Sequence, residues 1–352
     1  MSPAVFHGLQ GIGGNSMFGI SKVFHRESRS AFGLFEPAKA AGWMKRVDAI
    51  MGTEICVELW ADDRAQGLAA IEAVMAEMHR IDRCMSPHKP DSELSRINRD
   101  AAAKPVQLSA EMLRLLTQAE RFSNLSDGAF DITYAAVGQL YDYRRRIAPS
   151  AAALARAREL VGWRNLIIDE DAGTVRFALE GMRIDLGGFA KGHAVDNASA
   201  LLRERGIRHA IVSAGGDSRV IGDRRGRPWT IGIRDPRRPG EMVAMLPLED
   251  VSISTSGDYE RYFDADGVRH HHLIDPHTGR SPRSVHSVTI LAEDGLTTEA
   301  LSKCVFVLGV ERGLRLIESQ RGVDAVVVDA TGALHYSTGL LYADPAVRQQ
   351  CQ

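Results

Sequence analysis

The chain has 352 residues, of which 44% are hydrophobic and 25% are charged, and its formal net charge at pH 7 is −2. A charge this close to zero excludes a global electrostatic attraction to nucleic acid or to an anionic membrane surface. The four cysteines include no C-x-x-C pair, which excludes a zinc-ribbon pattern or a disulfide framework, and no apolar stretch is long enough for a membrane span.

Residues 1–43 form an N-terminal extension that is rich in Gly, Ser and Phe. It lacks the continuous apolar stretch of a signal peptide, and no Cys follows a short apolar segment as it does in a lipid-anchored protein. Three interpretations are open: a disordered tail, a partner-binding arm, or a start site assigned upstream of Met44. The missing export signal favours a cytoplasmic location.

Helices and strands follow one another from Met44 onward without a regular β-α-β order. The apolar spacing predicts the following helices: 63–83, 109–125 with Ser109 as N-cap, 150–160, 191–205, 298–308 and 313–320. Alternation and turn residues predict the following strands: 44–59, 165–169, 174–178, 210–213, 229–234, 242–246, 251–254, 285–292, 325–329 and 334–337. This order predicts an α+β fold with mostly antiparallel sheets and helices packed outside them.

Seven short sequence blocks stand out along the chain. They are M-G-T at 51–53, D-S-E-L-S-R-I-N at 91–98, D-G-A-F-D-I-T at 127–133, D-L-G-G-F-A-K-G at 185–192, G-G-D at 215–217, S-T-S-G-D-Y at 254–259 and D-P-H-T-G at 275–279. Together they resemble the signature blocks of the ApbE family, the FAD:protein FMN transferases. The resemblance covers residues 44–345 and leaves 346–352 as a C-terminal tail.

This resemblance implies one large flavin-binding domain of two lobes. It also implies that FAD is the donor substrate, that Mg²⁺ is a cofactor, and that FMN passes to a Thr or Ser hydroxyl of an acceptor flavoprotein. Family members are commonly exported, so the periplasm is the alternative location.

The glycine pair Gly187-Gly188 and the helix start at Lys191 are typical of an anion site, because free backbone N–H groups point outward there. Ordinary tight turns, with Phe130 as core and Met51 as strand, are the competing interpretation. The resemblance implies the following flavin-site residues: Met51, Ala129, Phe130, Asp131, Asp185, Gly188, Lys191, Gly215, Gly216, Asp217, Ser256, Gly257 and His272.

His272 and Asp275 are the predicted catalytic residues. An imidazole with an ordinary pKa of about 6.5 suits removal of a hydroxyl proton at neutral pH. The neighbouring His270 and His271 cannot face the same point as His272 in a strand. The competing interpretation of His272 is a polar strand end.

The predicted magnesium site departs from the family pattern. The family binds the ion through the alanine carbonyl of A-K-G, here Ala190, and through an Asp and a Thr four residues apart. This chain has Glu299 and Lys303 at those two places, on one face of a helix. Glu299 can ligate Mg²⁺, but a protonated lysine cannot. Ser302 or Thr298 is a candidate substitute ligand, or Lys303 itself offsets the phosphate charge.

Three functions follow from these residues. The leading one is FMN transfer to a protein. The second is a non-catalytic paralogue that binds FAD or FMN as a carrier or assembly factor, with Lys303 in place of the metal. The third is hydrolysis of FAD to FMN and AMP.

Overall fold

The computed structural model describes residues 41–341. The predictions for residues 1–40 and for the C-terminal tail lie outside this range. The first strand begins at Gly42, two residues before the predicted domain start at Met44. Among the described residues, no helix is both long and apolar enough to cross a membrane.

Strands and helices are distributed along the whole described range. The strands are β1 (Gly42–Ile50), β2 (Thr53–Ala61), β3 (Val106–Gln107), β4 (Leu166–Asp169), β5 (Thr174–Phe177), β6 (Ala210–Ala214), β7 (Asp217–Ile221), β8 (Trp229–Arg234), β9 (Met242–Leu248), β10 (Ser252–Gly257), β11 (Tyr262–Ala265), β12 (Val268–His271), β13 (Val285–Ala292), β14 (Asp324–Asp329) and β15 (Leu334–Tyr336). The helices are α1 (Arg64–Met85), α2 (Glu93–Asp100), α3 (Ala110–Leu125), α4 (Ala135–Gly138), α5 (Ala151–Arg158), α6 (Ala190–Glu204), α7 (Gly295–Glu318) and α8 (Thr338–Leu341).

The main sheet is antiparallel and has the strand order β1-β2-β6-β7-β10-β13-β14-β15. Helices α1, α6 and α7 pack against it and against one another. The helices cover an apolar face of this sheet. In strand β2, every second residue, namely Ile55, Val57 and Leu59, is fully buried, as expected for a strand with one face on the core. The predicted α+β class is confirmed.

Three small sheets complete the domain, with the orders β3-β5-β4, β8-β9 and β11-β12. Helices α2 and α3 pack on the first of them. Their apolar residues, such as Leu94 and Leu116, belong to the same continuous core as Val57 in the main sheet. Most buried apolar residues of the described range therefore belong to one core, and two smaller apolar clusters lie beside it.

One predicted strand was wrong in its boundaries. The single strand at 44–59 is the β1–β2 hairpin, which turns at Met51-Gly52 with φ values of 55° and 69°. Two positive φ values are typical of a tight hairpin turn, and Met51 is an uncommon residue there. The two helices predicted at 298–308 and 313–320 correspond to the two halves of α7, which Gly309 interrupts with a non-helical φ of 78°, so the predicted break is confirmed. Helices α2, α4 and α8 and strands β3, β7, β11 and β12 were not predicted.

Helices α6 and α7 meet closely at their first turns. A Cβ on Gly192 would lie 2.1 Å from the carbonyl oxygen of Gly295. Each helix also caps the other. Asp196 of α6 accepts hydrogen bonds from the N–H groups of Gly295 at 2.7 Å and Leu296 at 2.9 Å, and Glu299 of α7 accepts one from Gly192 N–H at 2.7 Å. Because helix starts carry unpaired N–H groups and partial positive charge, this reciprocal capping fixes both helices.

Gly192→Ala is therefore expected to lower the free energy of unfolding by ~1–3 kcal/mol or more, since the added methyl group meets backbone that cannot move aside. Gly42→Ala is the matched control, because a Cβ there has no neighbour within 4 Å. Urea denaturation of both variants measures the effect. Equal stability of the two variants would show that the α6–α7 contact is loose.

Candidate functional site

Four charged side chains form an ion cluster beside the start of α6. Lys191 of α6 lies with its Nζ 2.8 Å from Asp217 Oδ2 of β7 and also contacts Glu299 Oε1 of α7. Lys303 Nζ, one turn along α7, lies 3.4 Å from the same Glu299 oxygen. The Glu299 side chain has no exposed surface. The structure thus brings together the predicted residues Lys191, Asp217 and Glu299, with Lys303 beside them.

Serine hydroxyls connect this ion cluster to the sheet. Ser254 pairs with Asp217 across β10 and β7 and donates a hydrogen bond to its Oδ1 at 2.5 Å. Ser256 Oγ lies 2.8 Å from Ser302 Oγ, and Ser302 donates to the carbonyl oxygen of Glu299 at 2.7 Å. The predicted Ser256 therefore contacts Ser302, whose Oγ lies 3.4 Å from Lys303 Nζ.

The two lysines of the ion cluster differ in their electrostatics. Burial alone would lower the pKa of Lys191, but the carboxylates of Asp217 and Glu299 outweigh it and hold that pKa above its ordinary value. Burial works to raise the pKa of Asp217, but the charges of Lys191 and Lys303 overcome it and lower that pKa. The pKa of Lys303 is lowered, because burial outweighs the attraction of Glu299 and the charge of Lys191 adds to it. Lys303 is thus the less compensated cation.

The predicted aromatic and acidic residues at 129–131 support the glycine block. The Phe130 ring packs 5.6 Å from that of Phe189, and a Cβ on Gly188 would lie 3.3 Å from it. Asp131 is buried and accepts hydrogen bonds from the N–H groups of Thr133 at 2.8 Å and Trp163 at 3.0 Å. Burial raises the pKa of Asp131 despite these bonds. Both side chains hold this part of the chain in place, as does the buried Ala129.

The glycine block itself is partly accessible. Asp185 Oδ1 accepts a hydrogen bond from Gly187 N–H at 2.6 Å and lies 3.4 Å from the Tyr134 hydroxyl. Gly187 is exposed and Gly188 is half-buried. The N–H of Gly192 is already bound to Glu299. One N–H group of the predicted anion site at the start of α6, that of Gly192, therefore already donates to the Glu299 carboxylate.

Three further predicted glycines are required by close packing. Gly215 has a φ of 62°, and a Cβ there would lie 2.5 Å from Thr53 Oγ1. A Cβ on Gly216 would lie 2.5 Å from the Thr255 carbonyl oxygen, and one on Gly257 would lie 2.4 Å from its nearest atom in the Tyr259 ring. Tight turns account for these glycines, so their contact with a ligand stays a prediction.

His272 follows β12 and is tied to the β1–β2 turn. Its N–H donates to the Arg261 carbonyl oxygen at 3.0 Å, and Arg261 Nη2 donates to the Gly52 carbonyl oxygen at 2.9 Å. The predicted Met51 stands beside that carbonyl, with a half-buried side chain. The neighbouring histidines point elsewhere: His270 stacks on Phe263 at 5.0 Å, and the His271 Nε2 lies 2.9 Å from the Pro282 carbonyl oxygen.

The imidazole of His272 is neutral and has a free nitrogen. Burial, and then the charge of Lys303, lower its pKa to about 3, and Lys191 adds to the effect. Its Nδ1 is buried and makes no hydrogen bond to any residue of the range 41–341. A buried acceptor without a partner is uncommon in a folded protein. The group is therefore available to a ligand or to a proton.

Asp275, the second predicted catalytic residue, has its carboxylate engaged in a turn. Its Oδ1 accepts from His277 N–H at 2.9 Å and its Oδ2 accepts from the Thr278 hydroxyl at 2.9 Å. Its backbone pairs with Arg280. This geometry supports a positioning role for the loop that follows His272, and a direct catalytic role of Asp275 stays a prediction.

The residues present do not fit a magnesium ion. Both lysine ammonium groups contact Glu299 Oε1, and its Oε2 accepts the Gly192 N–H. Mg²⁺ requires oxygen ligands in a nearly octahedral arrangement, and a protonated Lys303 is not a ligand. Ala190 is in the first turn of α6, but no group of three or more His, Cys, Asp or Glu side chains in the described part of the chain is placed to hold a metal.

Several contributors to the site were not assigned a role from the sequence. Ser254 lies in the quoted S-T-S-G-D-Y block, and Tyr134 directly follows D-G-A-F-D-I-T, so the motifs marked their neighbourhood. Arg261 lies outside every block, and its link between His272 and the β1–β2 turn appears only in three dimensions.

Comparison with known proteins gives a consistent result. Residues 51–327 match the ApbE family. The FAD:protein FMN transferase of Treponema pallidum is 32% identical over 315 residues, which cover 84% of this chain and 87% of that protein. The enzyme of that name from Vibrio cholerae is 33% identical over 266 residues, which cover 72% of this chain and 79% of that protein.

Solved structures agree with the sequences. The crystal structure of the ApbE protein from Thermotoga maritima superposes with a TM-score of 0.79 at 33% identity, over 85% of this chain and 98% of that one. The flavin transferase ApbE from Vibrio cholerae gives a TM-score of 0.77 at 29% identity, over the same shares of the two chains. In sequence and in fold, the chain belongs to the ApbE family.

Proposed function

We propose that this protein transfers FMN from FAD to a Thr or Ser hydroxyl of an acceptor protein. Relatives that align over most of its length bear the name FAD:protein FMN transferase. The observation that carries the proposal is the neutral His272 imidazole, with an unpaired buried Nδ1, held under the electrostatic influence of Lys303 and Lys191. This arrangement combines a base with two cations, which are the groups that phosphoryl transfer to a hydroxyl requires.

The reaction breaks one bond and forms one bond at the same phosphorus. The acceptor oxygen attacks the flavin-side phosphorus of FAD, and a new P–O bond forms. The bond from that phosphorus to the bridging oxygen breaks, and AMP leaves with this oxygen and its electron pair. The hydroxyl proton passes to His272 and then to solvent. Lys191 and Lys303 offset the negative charge of the pyrophosphate and of the leaving phosphate.

FAD binding is expected to change His272 as well. The pyrophosphate adds negative charge near Lys191 and Lys303, and this charge offsets their effect on the imidazole. The pKa of His272 then rises from its low ligand-free value toward the ordinary one. The base becomes stronger when the substrate is in place, so proton removal is coupled to substrate binding.

The non-catalytic paralogue is less favoured. Relatives that align over most of this chain are named transferases, and the chain retains His272 as a candidate base. FAD hydrolysis uses the same bond cleavage with water as the nucleophile. The transfer assay below separates it, because hydrolysis releases FMN without a mass gain on the acceptor.

His272→Ala is expected to reduce the transfer rate by at least about 100-fold, which is the lower end of the effect of a general base. FAD affinity is expected to change little, because the base acts in the reaction step. The measurement is the FMN-sized mass gain on an acceptor protein or peptide that offers Thr and Ser, together with a flavin fluorescence titration.

His88→Ala is the matched control, because His88 is an exposed histidine in the loop between α1 and α2. It is expected to transfer FMN at the parental rate. Equal rates for His272→Ala and the parent would remove His272 from the mechanism.

The low pKa of His272 is open to direct titration by NMR. In the free parent protein, the His272 ring is expected to stay neutral at about pH 5, because its pKa is lowered to about 3. Lys303→Gln removes the largest electrostatic cause and is expected to move the midpoint upward. An unchanged midpoint in the variant, or a protonated ring in the parent at about pH 6, contradicts the assignment.

The lowered pKa of His272 also makes the free energy of unfolding depend on pH. Because the folded state lowers the pKa of His272, the unfolded chain binds more protons between about pH 3 and about pH 6.5. The contribution of His272 to the free energy of unfolding therefore decreases as the pH falls below about 6.5.

A further inference from the structure

The charges around Glu299 balance without an added ion. Within the described range, the ion cluster contains two ammonium groups, Lys191 and Lys303, and two carboxylates, Asp217 and Glu299. Without a bound anion, a divalent ion here would leave an excess of two positive charges in a site where the Glu299 side chain has no exposed surface. Unbalanced charge in such a place is costly. The ion cluster is therefore electrostatically complete as the chain folds.

Lys303 has hydrogen-bonding capacity to spare. Its Nζ lies 3.4 Å from Glu299 Oε1 and 3.4 Å from Ser302 Oγ, both at the long end of the hydrogen-bond range. An ammonium group has three donors, and the two lysine side chains are similarly exposed, at 18% for Lys303 and 24% for Lys191, so their contacts distinguish them. Lys191 is held more tightly, at 2.8 Å from Asp217 and closer still to Glu299. Of the two lysines, Lys303 is the freer one to meet an anion.

We propose that Lys303 is a built-in cation that replaces a divalent metal by binding the FAD pyrophosphate directly, so that FAD binding and FMN transfer do not require a metal. The inference rests on the proposed function and specifies how that site recognises its substrate. As the bond from the flavin-side phosphorus to the bridging oxygen breaks, the Lys303 ammonium offsets the negative charge that AMP carries away.

The parent protein tests the proposal first. FAD affinity, measured by flavin fluorescence, and FMN transfer, measured by the mass of the acceptor, are determined in EDTA and in Mg²⁺. FAD affinity is expected to agree within about twofold between the two conditions, and transfer is expected in both. An affinity at least about tenfold tighter in Mg²⁺, or transfer in Mg²⁺ alone, overturns the proposal.

Neutralising Lys303 tests its contact with phosphate. Lys303→Gln is expected to weaken FAD binding at least about tenfold in EDTA, as loss of a charge-assisted hydrogen bond does. Lys45→Gln is the matched control, because Lys45 is an exposed lysine on β1, and it is expected to bind FAD like the parent. Unchanged affinity of Lys303→Gln contradicts the proposal, and the parental comparison decides the question if this variant fails to fold.

Lys303→Thr reverses the argument. It leaves Asp217 and Glu299 opposite Lys191 alone, which gives the ion cluster an excess negative charge and a hydroxyl oxygen four residues after Glu299. Mg²⁺ is expected to tighten FAD binding at least about tenfold in this variant and not in the parent. Insensitivity of a folded Lys303→Thr variant to Mg²⁺ counts against the proposal.

The outcomes separate this inference from the proposed function. Transfer that occurs only with Mg²⁺ supports the transferase and overturns the role of Lys303. FAD binding that is insensitive to EDTA and dependent on Lys303, without transfer under any condition, supports Lys303 as the phosphate cation and overturns the transferase.

Discussion

The rest of the site depends on the interactions of the buried Glu299 carboxylate. It is fully buried on α7, and it accepts the Gly192 N–H at the first turn of α6 while pairing with Lys191 and Lys303. A buried carboxylate is stable only when its oxygens are paired and hydrogen-bonded, so its position determines those of its partners. The absence of a side chain at Gly192 lets the two helices approach closely enough for this contact.

Charge balance then links the fold to the chemistry. Lys191 is held between Asp217 and Glu299, while Lys303 has longer contacts with Glu299 and Ser302. Burial is the largest cause of the lowered pKa of His272, and the charges of both lysines add to it. In the proposed reaction, a negatively charged substrate changes this balance, so the cations that we propose bind phosphate also affect the strength of the proposed base. Substrate recognition and proton removal thus depend on one set of charges.

The sequence predicted the fold class and the family, and both are confirmed. Long periodic elements such as α1 and α3 were predicted well, since one apolar face repeats over many residues. The β1–β2 turn was missed because Met51 is not a typical residue for a positive φ. Strands β11 and β12 were also missed, and in β12 only Val268 is apolar, so no apolar alternation marks that strand.

The site was predicted in part, because motifs identify residues but not their contacts. No motif indicated that Glu299 caps α6, that Asp196 caps α7, or that Arg261 connects His272 to the β1–β2 turn, since these contacts join distant parts of the chain. The unusual pair Glu299 and Lys303 was visible in the sequence. The effect of this pair on the predicted metal site depends on burial and on the charges of Lys191 and Asp217, which the structure shows beside it.

A crystal structure of the FAD complex, grown from a solution that contains Mg²⁺, tests the central claim most directly. The account predicts pyrophosphate oxygens within hydrogen-bond distance of Lys303 Nζ, the Glu299 carboxylate still paired with both lysines, and the His272 ring directed toward the flavin-side phosphorus. A magnesium ion between Glu299 and the pyrophosphate, with Lys303 turned away from the ligand, would contradict it.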